Sequence, residues 1–377
     1  MKLLSTVFGA ALAIHMISPA QTREAVVRVS NGSAFARNSE TVEVPLAALR
    51  ALPGGALAVL PAEGSVSIPA QTTDSLLLFQ ADFPPHAVRE FHVRGVGRAP
   101  AVAPLVDGRY VLPREDYAWE NDRIAYRMYG PALRAEVNNG IDVWTKRVRS
   151  LVVAKWYREA EGAPPGHDPY HADRGEGADF FDVGRSLGAG ACALLSTGRL
   201  RQPGVFTSWK TLACGPLRVE FELTYAPVEV NGGPVTERFR VSLDAGRNLN
   251  RISVTFEGPV PGESLRVAWG LVKRKDVALT RGDGWMGLWG ATNGDTVNGS
   301  LGTGVALPPE IHAEPAEDSV HYLMTGWVTA GRALTYESGA GWTRSGDFPS
   351  RGDWDAYVAA RAAALASPLR VTVEGMR

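Results

Sequence analysis

The sequence predicts a mainly β protein: a large antiparallel β structure preceded by a small β-sandwich-like region and closed by one short helix. Three observations predict it. Short runs rich in Val, Leu and Phe recur along most of the chain. Several alternate apolar and polar residues, as in LRVEFELTY at 217–225 and RFRVSLDAG at 238–246, the mark of strands with one buried face. The 41 glycines and 25 prolines are spread along the 377 residues, which suits many tight turns rather than a disordered tail. Hydrophobic content of 45% and charged content of 21% are those of an ordinary globular protein. A net charge of −1 supplies no global field for nucleic acid or an anionic membrane.

Taken in order, residues 1–20 read as a signal peptide. Lys2 gives the charged start, 3–17 the apolar run, and Ser18-Pro19-Ala20 a small-x-small cleavage site leaving Gln21 first. A run of about 15 residues is short for a membrane span. The expectation is a periplasmic or secreted protein with no span in its mature chain. Residues 21–103 form the β-sandwich-like region, from EAVVRVSN through REFHVRGV, with His86 and His92 isolated and structural. Residues 104–377 form the large unit, entered through a crossover at 102–111. At 117–139, Trp119, Asn121, Asp122 and Arg123 cluster before the strand-like IAYRMYG. They make either a sugar-facing edge or a turn. Residues 141–155 are ambiguous between helix and strand.

The segment 155–190, with Pro164, Pro165, Pro169 and many glycines, reads as a long irregular site loop carrying exposed aromatics. From 188 onward strands return, with Asn231-Gly232-Gly233 as a hairpin turn. Only 354–367 is clearly helical, with Gly352-Asp353 as its start and Pro368 as its stop. Cys192 and Cys214 fall on what read as neighbouring strands, so a disulfide and two reduced thiols both remain open. Neither has the partners of a zinc site. No Walker-type GxxxxGK[ST], HExxH or CxxC motif occurs, which disfavours P-loop nucleotide chemistry and zincin proteolysis.

The stretches WENDRIAYRMYGPAL, NGIDVWTKRV, YHADRGEGADFFDVGRSLGAG and SLDAGRNLNRISVTF resemble the DUF4861 family of exported bacterial proteins, over residues 117–377. The resemblance implies association with polysaccharide utilisation and pectin enzymes. It also implies a galactose mutarotase-like supersandwich for 104–377. It does not name a reaction.

The residues of the loop carry the chemistry. In an extended segment His171 and Asp173 point to one face. They are expected to share a divalent metal such as Ca2+ with Asp179, or to act as an oriented base. His171, Tyr157, Lys155, Asp173 and Arg123 are the candidate catalytic residues. Trp119, Asn121, Asp122, Trp156, Tyr170, Arg174, Trp209 and Lys210 are the candidate substrate contacts, Trp by ring stacking and the cations by pairing with a carboxylate. Proton abstraction beside a uronate carboxylate needs a base and a cation, so β-elimination of pectin-type oligosaccharides leads. Hydrolysis by paired carboxylates, a mutarotase-like isomerisation and a non-catalytic sugar-binding module remain open. The expected partner is an oligosaccharide or polysaccharide.

Overall fold

The computed structural model describes residues 23–164, 167–292 and 295–375. The signal-peptide reading of 1–20 and the cleavage at Gln21 lie outside the described residues. Every ladder between strands is antiparallel, and the molecule is mainly β, as the sequence predicts. Two sheets make the N-terminal sandwich. One pairs Ala56–Pro61, Val88–Val96 and Glu24–Ser30; the other pairs Arg37–Pro45, Leu76–Phe83 and Ala70–Thr72. Val27, Val44, Leu77, Phe79 and Phe91 are buried between them. The last strand of the chain, Arg370–Glu374, completes the first sheet by pairing with Glu24–Ser30. Sequence reading placed that strand in the large unit.

The rest of the molecule holds three sheets around one continuous core. A nine-stranded sheet runs from Phe206–Cys214 at one edge to Val277–Gly282 at the other. A five-stranded sheet is centred on Ser264–Val272. A second five-stranded sheet orders Gly177–Asp179, Asp142–Lys146, Ile124–Met128, Asp116–Asn121 and Val106–Val111. This last, the covered sheet, matters most for function. Tyr117, Trp119, Ile124, Tyr126 and Val143 face the main core. Ala118, Ala125 and Trp144 face the other way, yet are equally buried. Its three central strands are therefore buried on both faces, and Asp116, Glu120, Arg127, Asp142 and Lys146 are among the buried residues.

Turn chemistry follows the sequence. Asn231 and Gly232, with φ of 54° and 84°, form the two-residue turn between Val228–Val230 and Gly233–Asp244, the positive φ pair that a type I′ hairpin requires. The C-terminal helix spans Arg351–Ala366, three residues earlier than its Ala-rich pattern suggests. Ser350, not Gly352-Asp353, caps it. Ser350 Oγ accepts from the Asp353 N–H, and the Asp353 carboxylate accepts from the Ser350 N–H. A Cβ at Gly302 would lie 2.7 Å from the Trp354 ring, so glycine there lets the helix seat on the nine-stranded sheet. Cys192 and Cys214 are free thiols in different sheets, the first buried and the second exposed. The expected strand adjacency does not form.

Candidate functional site

The segment 155–190 is not an irregular loop throughout, and its aromatics are not exposed. Its start belongs to a helix, α1, spanning Val153–Glu161. Val153, Trp156, Tyr157 and Ala160 recur at helical spacing and are all buried. They pack on Ala118, Ala125 and Trp144 of the covered sheet. The prolines that argue against a helix come after α1 ends, and Pro169 opens a single 3₁₀ turn, Pro169–His171. Tyr170 is buried there with its ring stacked 4.6 Å from Trp144. Trp156, Tyr157 and Tyr170 are thus core residues of a cap. Tyr157 Oη donates to the Asp116 carboxylate at 3.0 Å, and Tyr170 Oη to Asp168 at 3.0 Å. Burial holds the Tyr157 phenol far above its usual range.

Beneath the cap lies a buried charge network that sequence reading missed. Arg127 Nη2 is 2.7 Å from Asp142, 3.0 Å from Asp179 and 2.8 Å from the Tyr129 hydroxyl. Its guanidinium lies 4.9 Å from the centroid of Trp144. Asp116 stands 3.9 Å from the same guanidinium, with one carboxylate oxygen unpartnered. Three carboxylates thus surround one guanidinium, away from water. Burial pushes Asp116 up to about 6. Burial, and then the neighbouring Asp142, push Asp179 well above the ordinary carboxylate range. At the far end of the sheet Lys146 Nζ donates to Glu120 at 2.5 Å. The Glu120 carboxylate also accepts the Val152 and Val153 N–H groups at the start of α1. Every second residue of YAWEN and IDVWTK faces this layer. Only the pairing of the strands reveals it.

His171 is the predicted residue left at the surface of this network. Its side chain is 54% exposed. Nδ1 lies 3.2 Å from the Asp179 carbonyl oxygen and 3.7 Å from its carboxylate. Nε2 is 3.9 Å from Asp168. Asp173 does not join it. That carboxylate lies 3.1 Å from Arg147 and 3.3 Å from Arg344, and accepts the Gly175 and Gly177 N–H groups at 2.9 and 3.1 Å. It is a loop anchor rather than a catalytic group or ligand. Among the described residues no group of three or more His, Cys, Asp or Glu is arranged to hold a metal ion. Because Asp173 turns to two guanidiniums, the expected His171–Asp173–Asp179 set does not fit a Ca2+-like ion.

Lys155 is exposed on α1 but paired with Glu176 at 2.8 Å. With Arg158, His167, Arg174 and Glu159 they line an open cleft. Both acids are within reach of Lys155, whereas Arg158 and Arg174 make no ion pair among the described residues, so the cleft as described keeps an excess of positive charge. The Trp119 to Arg123 cluster is structural, not a sugar-facing edge. Trp119 is fully buried, with Nε1 donating to Asn250 at 2.7 Å. Asn121 donates to the Asp244 and Arg247 carbonyls and accepts from the Arg123 and Ile124 N–H groups. Asp122 accepts from Gly246 N–H at 2.6 Å, and Arg123 pairs with Asp347 at 2.6 Å. The cluster ties the covered sheet to the end of strand Gly233–Asp244. Its polar composition reflects buried turn bonds. Trp209 is 43% exposed on the edge strand Phe206–Cys214 and stacks 4.9 Å from Tyr110. Beside it Lys210 is exposed and, among the described residues, without an ion pair. This platform's ring contacts are Tyr110 and Tyr117, neither from the cap.

Two motif spacings present in the sequence carry no site. Gly184-Arg185-Ser186-Leu187-Gly188 has the G-x-S-x-G pattern, but Ser186 is buried, with its hydroxyl donating to the Val183 carbonyl at 2.6 Å. No helix follows, as a nucleophile elbow requires. Gly282-Asp283-Gly284-Trp285-Met286-Gly287 has G-x-G-x-x-G spacing within the hairpin joining Val277–Gly282 to Trp285–Thr292. It offers no helix N-terminus for a pyrophosphate.

Comparison with known proteins places this architecture. A protein of Formosa agariphila described as uncharacterized protein P7 is 29% identical over 321 residues, covering 80% of this chain and 79% of that one. An α-mannosidase from Enterococcus faecalis superposes with a TM-score of 0.50 at 9% identity, over 93% of this chain and 46% of that chain. A glycosyl hydrolase family 38 protein from the same organism gives 0.50 at 10%, over 93% and 47%. The chain therefore spans about half the length of these solved structures, and the likeness is one of fold. The model of the domain of unknown function DUF4861 matches residues 29–371, so most of the N-terminal sandwich lies within it too. The chain belongs to the DUF4861 family.

Proposed function

We propose that this is an exported, carbohydrate-active protein that cleaves uronic-acid-containing, pectin-type oligosaccharides by β-elimination at the rim of the α1 cap. The observation that carries the reading is His171: a half-exposed imidazole with Nδ1 3.7 Å from the Asp179 carboxylate and Nε2 3.9 Å from that of Asp168. In this reading Nε2 removes the proton beside the uronate carboxylate. The electron pair forms the ring double bond, the bond to the leaving oxygen breaks, and solvent protonates that oxygen. The Arg158 and Arg174 guanidiniums neutralise the uronate carboxylate. Trp209 on Tyr110 offers a stacking surface for a more distant sugar ring. The solved neighbours, an α-mannosidase and a family 38 glycosyl hydrolase, weigh toward a carbohydrate substrate. Hydrolysis has one observation in its favour, the raised carboxyls of Asp116 and Asp179. Both lie under α1, so that reading requires the cap to lift.

The test is incubation with uronate oligosaccharides while following both unsaturated-uronate absorbance and reducing ends. Elimination gives both signals. Reducing ends without absorbance transfer the assignment to hydrolysis. His171→Ala is expected to lower kcat by about 10²–10⁴ with KM little changed, the range of a general base; loss of affinity alone leaves a binding module. Export is tested by N-terminal sequencing of the periplasmic protein, expected to begin at Gln21.

A further inference from the structure

We propose a second, non-catalytic binding site for acidic oligosaccharide in the groove between the C-terminal end of the Arg351–Ala366 helix and the sheet beneath it. A cavity of ≈ 460 Å³ opens there, with Arg251, Arg332, Trp327, Thr329, Thr335 and Glu310 on its walls. A second compartment of ≈ 340 Å³ adjoins it, sharing Arg251 and the turn at Pro368. The two share Arg251, Ala364, Leu365 and Pro368, so they form neighbouring parts of one groove. Each volume is in the range of small-molecule sites.

Charge and aromatic exposure identify the occupant. In the second compartment Arg361 pairs with Glu337 and Glu40, Arg247 with Glu40, and Arg218 with Glu43 and Asp244, while the buried Arg37 donates to the Ser367 carbonyl. Arg251 and Arg332 are exposed, and neither has an ion pair among the described residues. Register places Arg251 opposite Glu337, but that carboxylate is held by Arg361 at 2.6 Å. Two free guanidiniums against the single free carboxylate of Glu310 make the open compartment cationic. Trp327 is 60% exposed. Arg266 lies 5.9 Å from its ring centroid, and most of the side chain remains open to solvent. An open indole beside unpaired guanidiniums and threonine hydroxyls fits a ring to stack, a carboxylate to pair and hydroxyls to bond. Those are the parts of a uronate oligosaccharide. The assignment rests on the acidic-glycan reading above, but it uses none of the residues of the cap.

Calorimetric titration of hexagalacturonate into the intact protein tests it, with maltohexaose and polyglutamate as controls. The expected result is binding of hexagalacturonate alone, weakening with salt. It should persist in His171→Ala and drop at least about tenfold, about 1.4 kcal/mol, in Arg251→Ala/Arg332→Ala. Trp327→Ala should weaken it as well. Turnover of a trisaccharide should be unchanged in the groove variants. Wild-type affinity in the double variant or in Trp327→Ala overturns the site, as does equal binding of either control. If no uronate is turned over yet groove binding behaves as described, the catalytic reading fails and the groove stands.

Discussion

Glu237 shows how one buried side chain sets a response of the whole protein. It sits on Gly233–Asp244 between the sheets, where, among the described residues, only the Cys192 thiol, 3.9 Å away, donates to its carboxyl. Burial raises its pKa to about 8, whereas an unfolded chain releases that proton near 4.3. Between those values the folded state holds a proton that the unfolded state has lost. Stability therefore falls as pH rises through that window. Asp116, raised to about 6, adds a slope of the same sign over its lower part. Glu237→Gln keeps the shape of the neutral acid. It should flatten the decline and raise the urea midpoint at pH 8 and above while changing little at pH 4.5. An unchanged pH slope in the variant would show that the carboxyl is not carrying it. At this scale sequence was least informative. His171 and Asp173 are two residues apart, yet one is a half-exposed imidazole and the other is fixed between Arg147 and Arg344. Those arginines come from other segments, and nothing local announces them.

At the scale of elements, α1 depends on a charge it does not contain. Glu120, on a strand, takes the N–H groups of Val152 and Val153 and the Lys146 ammonium together. Burial lowers the Lys146 pKa, and the pull of Glu120 opposes that. Glu120→Ala leaves a buried ammonium and uncapped amides, and is expected to cost about 3–5 kcal/mol, read from urea unfolding. Glu120→Gln/Lys146→Met removes both charges and should recover much of that loss. If the double variant is no more stable than the single, the cost arises from something other than the orphaned ammonium. The helix itself was legible: Val153, Trp156, Tyr157 and Ala160 give its stripe in the sequence. Glycines and prolines further along masked it, because they were read as one segment with it.

For the whole molecule, the first and last strands are partners. Arg370–Glu374 covers Glu24–Ser30, and Val371 and Val373 pack on the N-terminal core. The sandwich is also tied to the large unit by Gln71, which bonds the backbone of Leu217 and Arg218 at 2.7–3.0 Å, and by Glu40 to Arg361. Deleting residues 370–377 removes a ladder and bares an edge strand. The expected outcome is faster proteolysis within 23–103 and concentration-dependent association, with the large unit still folded by near-UV circular dichroism. Equal proteolysis of both units, or none, would sink that picture. Among the described residues no helix is long and apolar enough to cross a membrane.

The sequence by itself determined the class of fold, the strand-and-turn rhythm, the hairpin at Asn231-Gly232 and the C-terminal helix. Those follow from periodicity and local conformational preference, which act over a few residues. Only the tertiary structure decided which faces are buried. An α1 stripe that read as a display of aromatics is the lid of the covered sheet, and the Trp119 to Arg123 cluster is a buried tie. The Arg127 network assembles from four strands. Burial and ion pairing depend on which strands lie side by side, and that contact is made across long separations that no local pattern encodes.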